Sequence, residues 1–288
     1  LGLSLGLLIY FKYAAFLVDS LFGLLGFAGH AAPAPEVHVF LPLGISFYTF
    51  ETISYVVDVY RKRIEPARSP LDYGVFILFF PHLVAGPIVR PHEFLPQLVR
   101  ERPRDWARLE LGLRWFLLGL FQKAVLADHL AAAVDPVFAR PGAYATGTLW
   151  LALFGYSVQI YCDFAGYSSM AIGLAHAFGL KLPENFRMPY ASASIAEFWR
   201  RWHMTLSRWL RDYLYVPLGG GRGGTARTVR NLLVTMLVAG LWHGAAWRFV
   251  LWGLYHGLLL AGHRLLFRDR RPARGLTRAL GIATTCLL

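Results

Sequence analysis

Long apolar stretches, separated by short basic or proline-containing segments, set the plan of this chain. Residues 3–28 are long enough to span a membrane, which takes about 20 apolar residues. Lys12 interrupts that stretch close enough to one end to snorkel. Residues 39–60 predict a second span, with Glu51 and Asp58 on the way. Residues 71–89 would also cross, but Pro81-His82 and Gly86-Pro87 break the run in its middle. Residues 106–134 predict another span, carrying Arg114, Lys123, Asp128 and His129. Residues 146–180 exceed one span, which predicts a tilt, a break near Asp163-Phe164-Ala165-Gly166, or both. Residues 229–241 and 247–267 form a last pair. The end, 280–288, is too short to cross.

The pattern changes at 194–214. With Phe198 at zero on a wheel of 100° per residue, Trp202, Leu206, Trp209 and Tyr213 fall within about 80°. Trp199 and Leu210 widen that stripe to about 120°. Glu197, Arg200, Arg201, Arg208, Arg211 and Asp212 take the other side. This predicts an amphipathic helix at the membrane interface, or one dipping inward with its apolar face on the bundle. His203 falls at the border of the stripe. The loop 217–224 spells G-x-G-x-x-G through Gly219, Gly221 and Gly224, but it follows an interfacial helix and not a strand. A dinucleotide site is therefore rejected, and the loop reads as a flexible cytoplasmic turn.

Composition and charge sharpen this plan. Only 16% of residues are charged and 56% are hydrophobic, where a soluble domain has about 25% charged. The chain is read as an all-α polytopic membrane protein. Its net charge of +12 could suggest nucleic acid, but 23 of the 29 basic residues fall in 61–70, 90–108, 181–230 and 268–278. Segment 29–38 holds none and 135–146 only Arg140. Alternation of this kind is the positive-inside pattern, so the four basic segments should face the cytoplasm. Residues 71–89 then have basic flanks on both sides, which fits a re-entrant hairpin. The alternative is an ordinary span with one basic loop outside. The two cysteines, Cys162 and Cys286, indicate neither a disulfide framework nor a zinc site. Leu1 is not an initiator methionine and the start shows no basic n-region of a signal peptide, so a fragment lacking helices on both sides is expected.

Against this background His243, between Trp242 and Trp247, is the leading candidate. An ionisable group at membrane depth is costly and is a functional candidate by default. The other reading is a histidine that caps a turn or satisfies a buried hydrogen bond. His203 is the second candidate, since two helices can bring it and His243 to facing walls of one cavity. Asp163 is the third. It could equally be a buried acceptor for Tyr156 or Ser168. Histidine can take a proton from an attacking hydroxyl, and such groups suit transfer across a bilayer with one substrate entering from each side. No G-x-S-x-G elbow, H-E-x-x-H zinc motif or clustered carboxylate pair occurs, so hydrolase and metalloenzyme readings lack support.

Eight stretches together resemble the membrane-bound O-acyltransferase family, in its alginate O-acetylase branch. They are 41–50 with Pro42-Leu43-Gly44, 80–88 with Pro81-His82, and 159–168 with Tyr161-Cys162-Asp163-Phe164. Next come 182–186 with Pro183-Glu184-Asn185, 198–207 with Arg201-Trp202-His203, and 209–215 with Trp209-Leu210-Arg211-Asp212. The last are 241–244 with Trp242-His243-Gly244, and 251–257 with Trp252-Gly253-Leu254-Tyr255-His256. The resemblance implies one membrane-embedded domain over 1–288, with a ring of helices, re-entrant segments and a central tunnel. It implies transfer of an acyl group, acetyl by the branch, from a cytoplasmic donor to hydroxyls of an extracytoplasmic polysaccharide such as alginate. The family's essential histidine falls on His243 and its second histidine on His203. Asp163 and Asn185 match polar positions of the branch, and Trp199, Trp242 and Tyr167 are taken as tunnel-lining candidates.

No tightly bound cofactor or metal is implied. The donor would be acetyl-CoA or an acyl-carrier thioester, the receiving partner the polysaccharide or a periplasmic acyltransferase, and the place the bacterial inner membrane, in contact with lipid. The chain departs from the branch at Cys162, Ala165 and Ser169. Two other readings stay open: D-alanyl transfer to teichoic acid, and a non-catalytic transporter or acyl conduit with a proton relay.

Overall fold

The computed structural model describes residues 1–30, 32–99, 105–267 and 276–287, and these are helical with no strand. We label the helices α1 (Gly2–Phe27), α2 (Ile45–Tyr60), α3 (Pro70–Leu78), α4 (Phe80–Leu83), α5 (Pro91–Leu98) and α6 (Trp106–Ala139). They continue as α7 (Thr146–Ala177), α8 (Ile195–Trp199), α9 (Met204–Leu210), α10 (Thr225–His243), α11 (Trp247–Leu266) and α12 (Leu276–Leu287). Helices α1 and α6 each contain a π-helical stretch, Ile9–Tyr13 and Phe121–Ala127, and a third, Arg211–Tyr215, extends α9. The helices form two compact units, one of Leu1–Tyr60 with Arg187–Leu288, the other Arg61–Phe186.

Two helices, α1 and α6, are long and apolar enough to cross a membrane. The other predicted spans are helical too, but their composition is more mixed. Helix α7 carries Ser157, Gln159, Asp163, Ser168 and Ser169, α10 opens with Arg227, Arg230 and Asn231, and α11 includes His256, His263 and Arg264. Helix α2 starts six residues later than its apolar run, because Pro42 and the left-handed Gly44 (φ 74°) hold 39–44 out of the helix. Residues 100–104 and 268–275, parts of two of the basic segments, lie outside the described residues.

In the Arg61–Phe186 unit, α6 and α7 pack through glycines. A Cβ on Gly112 would come 2.7 Å from the Gly173 carbonyl oxygen, and one on Gly166 would come 2.7 Å from that of Gly119. Small residues let backbones approach in this way where lipid gives no hydrophobic drive to association. This explains why α7 runs unbroken through 32 residues. The break expected near Asp163–Gly166 is absent, since Gly166 serves as a packing surface and no proline removes a hydrogen bond. At about 48 Å, α7 is longer than a bilayer core of about 30 Å. Its C-terminus is capped by Arg108, which donates to the Gly179 carbonyl at 2.7 Å. The stretch 71–89 is interrupted at Phe79 and again after Leu83, where proline and the following turn stop the helix.

In the other unit a column of rings forms the core. Trp209 stacks on Phe50 at 3.8 Å and 7°, and Phe50 packs on Trp242 at 5.6 Å. The Trp209 indole N–H also donates to the Phe50 carbonyl at 3.0 Å. Each such aromatic pair adds about 0.5–1.5 kcal/mol beyond its buried area, so α2, α9 and α10 are joined at one point. Tyr213 extends the seam by donating to Asp58 at 2.6 Å.

The single amphipathic helix predicted over 194–214 is two helices. Residues 200–203 leave the helical ladder, and His203 takes a left-handed conformation (φ 43°, ψ 53°) as the residue before α9. Wheel angles therefore do not carry across 200–203. Ser194 caps α8 by accepting from the Glu197 N–H. Glu197 in turn accepts from Ala193 N–H at 2.8 Å and pairs with Arg201 at 2.7 Å and Arg278 at 3.3 Å. Burial alone would raise its carboxyl, but the Ala193 bond and the two guanidinium groups outweigh it and hold it below the usual range.

The glycine-rich loop 217–224 is not a free turn. Asn231 donates to the carbonyls of Leu218 at 3.1 Å and Gly220 at 3.0 Å, which fixes it against α10. Its glycines are needed, because Gly219 (φ 107°), Gly220 (φ 56°) and Gly224 (φ 85°) occupy the left-handed half of backbone space.

Candidate active site

His243 is the last residue of α10, and a three-residue link leads from it to α11. The turn expected between Trp242 and Trp247 is therefore present. The side chain is exposed, while Trp242 beside it is buried. His203 is fully buried, and its ring centroid lies 6.4 Å from that of His243. Forty residues of separation in sequence have become adjacent rings, as expected. Trp242 bridges them, 5.1 Å from His243 and 5.8 Å from His203. On the other side Trp252 packs on His243 at 5.0 Å. Trp199 closes α8 and packs on Trp252 at 5.7 Å. Four of the predicted residues, His203, His243, Trp199 and Trp242, thus share one aromatic wall.

The left-handed His203 is a local strain. For a side chain with a Cβ this conformation costs on the order of 1–3 kcal/mol and persists where surrounding packing over-determines it. Such positions cluster at functional sites. Here the strain turns the imidazole inward between α8 and α9, where a continuous helix would have left it on the border.

The carbonyls that end α10 decide where His243 points. A helix leaves its last four C=O groups without intrahelical partners. Tyr13 donates to the Leu241 carbonyl at 2.7 Å, and Lys12 donates to the Trp242 carbonyl and to Ser46 Oγ, the latter at 2.8 Å. A cation at a helix C-terminus is also favoured by the helix dipole. Lys12 therefore does not snorkel away to the headgroups. It turns inward from the π-helical stretch of α1 and locks the peptide preceding the candidate base. Tyr13→Phe should lower stability by about 0.5–1.5 kcal/mol, and Lys12→Met by about 1.5–3 kcal/mol because its donor is charged. Unfolding midpoints of the detergent-solubilised protein check this. Unchanged midpoints in both variants would show that these carbonyls find other partners.

Beside the link runs a cavity of about 770 Å³, bounded by Lys12, Phe16, Asp19 and Ser20 of α1 and by Ala245, Ala246 and Trp247. The remaining predicted residues lie in the Arg61–Phe186 unit. Asp163 is exposed and pairs with Lys123 at 2.7 Å, and the same ammonium holds Asp128 at 2.7 Å. It is an ion-pair partner across α6 and α7, where an acceptor for Tyr156 or Ser168 had been the alternative. Asn185 is buried and donates to Ser168 Oγ at 3.1 Å. Tyr167 is hydrogen-bonded to the backbone of Ala85. No group of three or more His, Cys, Asp or Glu side chains that could hold a metal occurs among the described residues.

Residues 64–278 match the model of the membrane-bound O-acyltransferase family. The chain belongs to that family. It is 47% identical over 273 residues, 95% of this chain and 56% of the relative, to a probable alginate O-acetylase of Pseudomonas putida. It is 40% identical to a peptidoglycan O-acetyltransferase of Helicobacter pylori, over 91% of this chain and 54% of the relative. A teichoic acid D-alanyltransferase of Bacillus subtilis is 31% identical, over 90% of this chain and 69% of the relative. The chain spans about half the length of the O-acetylases it matches.

Sequence reasoning passed over two neighbours of this aromatic cluster. Trp252 and His256, four residues apart on α11, stand one turn from each other on the face towards His243 and Trp199. The signal was present: a histidine within an apolar helix is a functional candidate by default, and His256 meets that test as His243 does.

Proposed function

We propose that the whole protein is a membrane-bound O-acyltransferase that moves an acetyl group from a cytoplasmic donor to hydroxyls of an extracytoplasmic polysaccharide such as alginate. The observation that carries the reading is the accessible imidazole of His243 at the end of a helical hairpin, with the buried imidazole of His203 6.4 Å away. In the reaction a sugar hydroxyl oxygen bonds to the carbonyl carbon of a thioester. His243 takes the hydroxyl proton. The carbon–sulfur bond breaks, and the thiolate leaves with that proton. His203 orients His243 or relays from the cytoplasmic side.

The donor on this reading is acetyl-CoA or an acyl-carrier thioester, with no tightly bound cofactor. The setting is the bacterial inner membrane, crossed several times, with 71–89 re-entrant and a tunnel joining the two faces. A periplasmic acyltransferase is the alternative receiver. Trp199 and Trp242 line the site. Asp163, Asn185 and Tyr167 are tunnel-lining candidates within their own unit, where they bond Lys123, Ser168 and the Ala85 backbone.

The ordering of identities, 47% and 40% to O-acetyl relatives against 31% to a D-alanyl one, favours acetyl. Deletion of the gene followed by NMR of the extracellular polymers tests this. Acetyl esters should vanish from a polysaccharide and return on complementation. Loss of D-alanyl esters from teichoic acid would transfer the protein to the rival reading, and unchanged esters in every polymer would remove the enzymatic reading.

A further inference from the structure

Two buried polar atoms close to the histidine pair have no hydrogen-bond partner among the described residues. They are Nε1 of Trp199 and Nδ1 of His256. Leaving a buried donor unpaired costs about 1–3 kcal/mol, so a native structure that does so twice in neighbouring rings invites an explanation. The two rings stand 5.2 Å apart between centroids, at 89°. Both pack on Trp252, His256 at 4.6 Å and Trp199 at 5.7 Å, and His243 packs on the same indole at 5.0 Å. The unpaired atoms therefore belong to rings that share the Trp252 indole with the candidate base.

The chemistry of the two atoms restricts what they can hold. An indole N–H only donates, and imidazole Nδ1 donates when it carries the ring proton. Two donors and no acceptor describe a place for an oxygen with two lone pairs. No fixed cation is added to the pair, since Lys12 is committed to the Trp242 carbonyl and Ser46. A phosphate or carboxylate would therefore be poorly compensated there, whereas a neutral carbonyl is well matched.

We propose that Trp199 Nε1 and His256 Nδ1 together hold the carbonyl oxygen of the acyl group being transferred. This rests on the acyl-transfer reading above and names a subsite within it. As the hydroxyl oxygen bonds to the carbonyl carbon, the C=O π pair moves onto that oxygen, and the two donors receive the developing charge. When the carbon–sulfur bond breaks, the pair returns and the carbonyl re-forms in the ester. Donors set in advance around a forming oxyanion act on the rate more than on binding.

The test uses the full-length protein in its own cells, with isotopically labelled acetate. The readout is the rate at which label enters polymer esters, normalised to protein in the membrane. Trp199→Phe keeps the ring and removes the N–H, and should slow transfer about 100-fold. His256→Gln should do the same, because its amide reaches only to the place of Nε2. His256→Asn can put an amide N–H at the place of Nδ1 and should recover a large part of that loss. A purely structural role for His256 predicts no such difference. Trp199→Phe within twofold of the wild type overturns the proposal, and so does His256→Asn as slow as His256→Gln. If Trp199→Phe is missing from the membrane, the His256 pair alone decides. His243→Ala runs in parallel. Full activity there defeats the acyl-transfer reading itself, whereas an inactive His243→Ala beside an active Trp199→Phe defeats only the carbonyl subsite.

Discussion

His243→Ala is expected to abolish the proposed transfer of acetyl groups to the polymer and to leave the protein in the membrane at its normal level. The size of the effect follows from what the side chain does and does not hold up. A positioned base contributes about 10²–10⁴-fold, and a residual rate below 1% of wild type is expected on that basis. The structural cost is small, because the ring is exposed and its contacts with Trp242, Trp252 and His203 are edge contacts of 5.0 to 6.4 Å. The core column of Trp209, Phe50 and Trp242 does not pass through it. Label transfer to polymer, with an immunoblot of the membrane fraction, separates the two contributions. Wild-type transfer by the variant would remove His243 from the mechanism, and disappearance from the membrane would show that the ring is structural. His203→Ala makes an instructive companion. His203 is fully buried and strained, so its replacement relieves backbone strain little and opens a void beside Trp242. Its loss should therefore lower both activity and stability.

The hairpin at 242–247 was legible because the apolar pair 229–241 and 247–267 lies between two basic segments, which puts its outer ends on one side. The approach of His203 to His243 was legible as a possibility only. Its geometry depends on the break at 200–203, and nothing in the tryptophan and arginine spacing marks a left-handed histidine. A helical wheel assumes the regularity that the strained residue gives up.

Lys12 shows a different limit. Periodicity says that a charge interrupts an apolar helix, and snorkelling is the answer available without a partner. The partner is the Trp242 carbonyl at the end of a helix more than 200 residues away, a long-range fact that no local window contains. The partner of Asp163 was out of reach for the same reason, since it is Lys123 across a glycine-packed helix pair. Of the two expectations for α7, a tilt or a break, the break does not occur, because Gly166 is a contact surface there. In each case the residue type was noticed and the partner was not. His256 alone was missed as a type, being absorbed into a matching stretch and not asked what its nitrogens bind.

Gly253→Ala, one methyl group, should nearly abolish activity by acting on backbone geometry alone. The Cβ it adds would overlap the Met236 carbonyl oxygen and lie 3.1 Å from Leu237 Cα. Those atoms are backbone of α10 and cannot rotate aside. Gly240 faces the same seam, where a Cβ would overlap the Phe249 carbonyl oxygen and stand 3.1 Å from Gly253 Cα. Helices α10 and α11 therefore touch backbone to backbone, one on each side of the link that carries His243. Overpacking a tight contact costs about 1–3 kcal/mol, and more where the neighbour is rigid. The alternative to that cost is to push the helices apart. Displacement by as little as 1 Å can cost about 100-fold in rate when it misplaces a catalytic group, and His243, at the end of α10, would move with the hairpin. The control lies on the same helix. Gly262 has nothing within 4 Å of an added Cβ, so Gly262→Ala should keep full activity and gain slightly in helix propensity. Transfer rate and unfolding midpoint, measured for both variants, should fall for Gly253→Ala and not for Gly262→Ala. Equal behaviour of the two would mean that the hairpin gives way without cost, and that His243 does not depend on the closeness of α10 to α11 for its position.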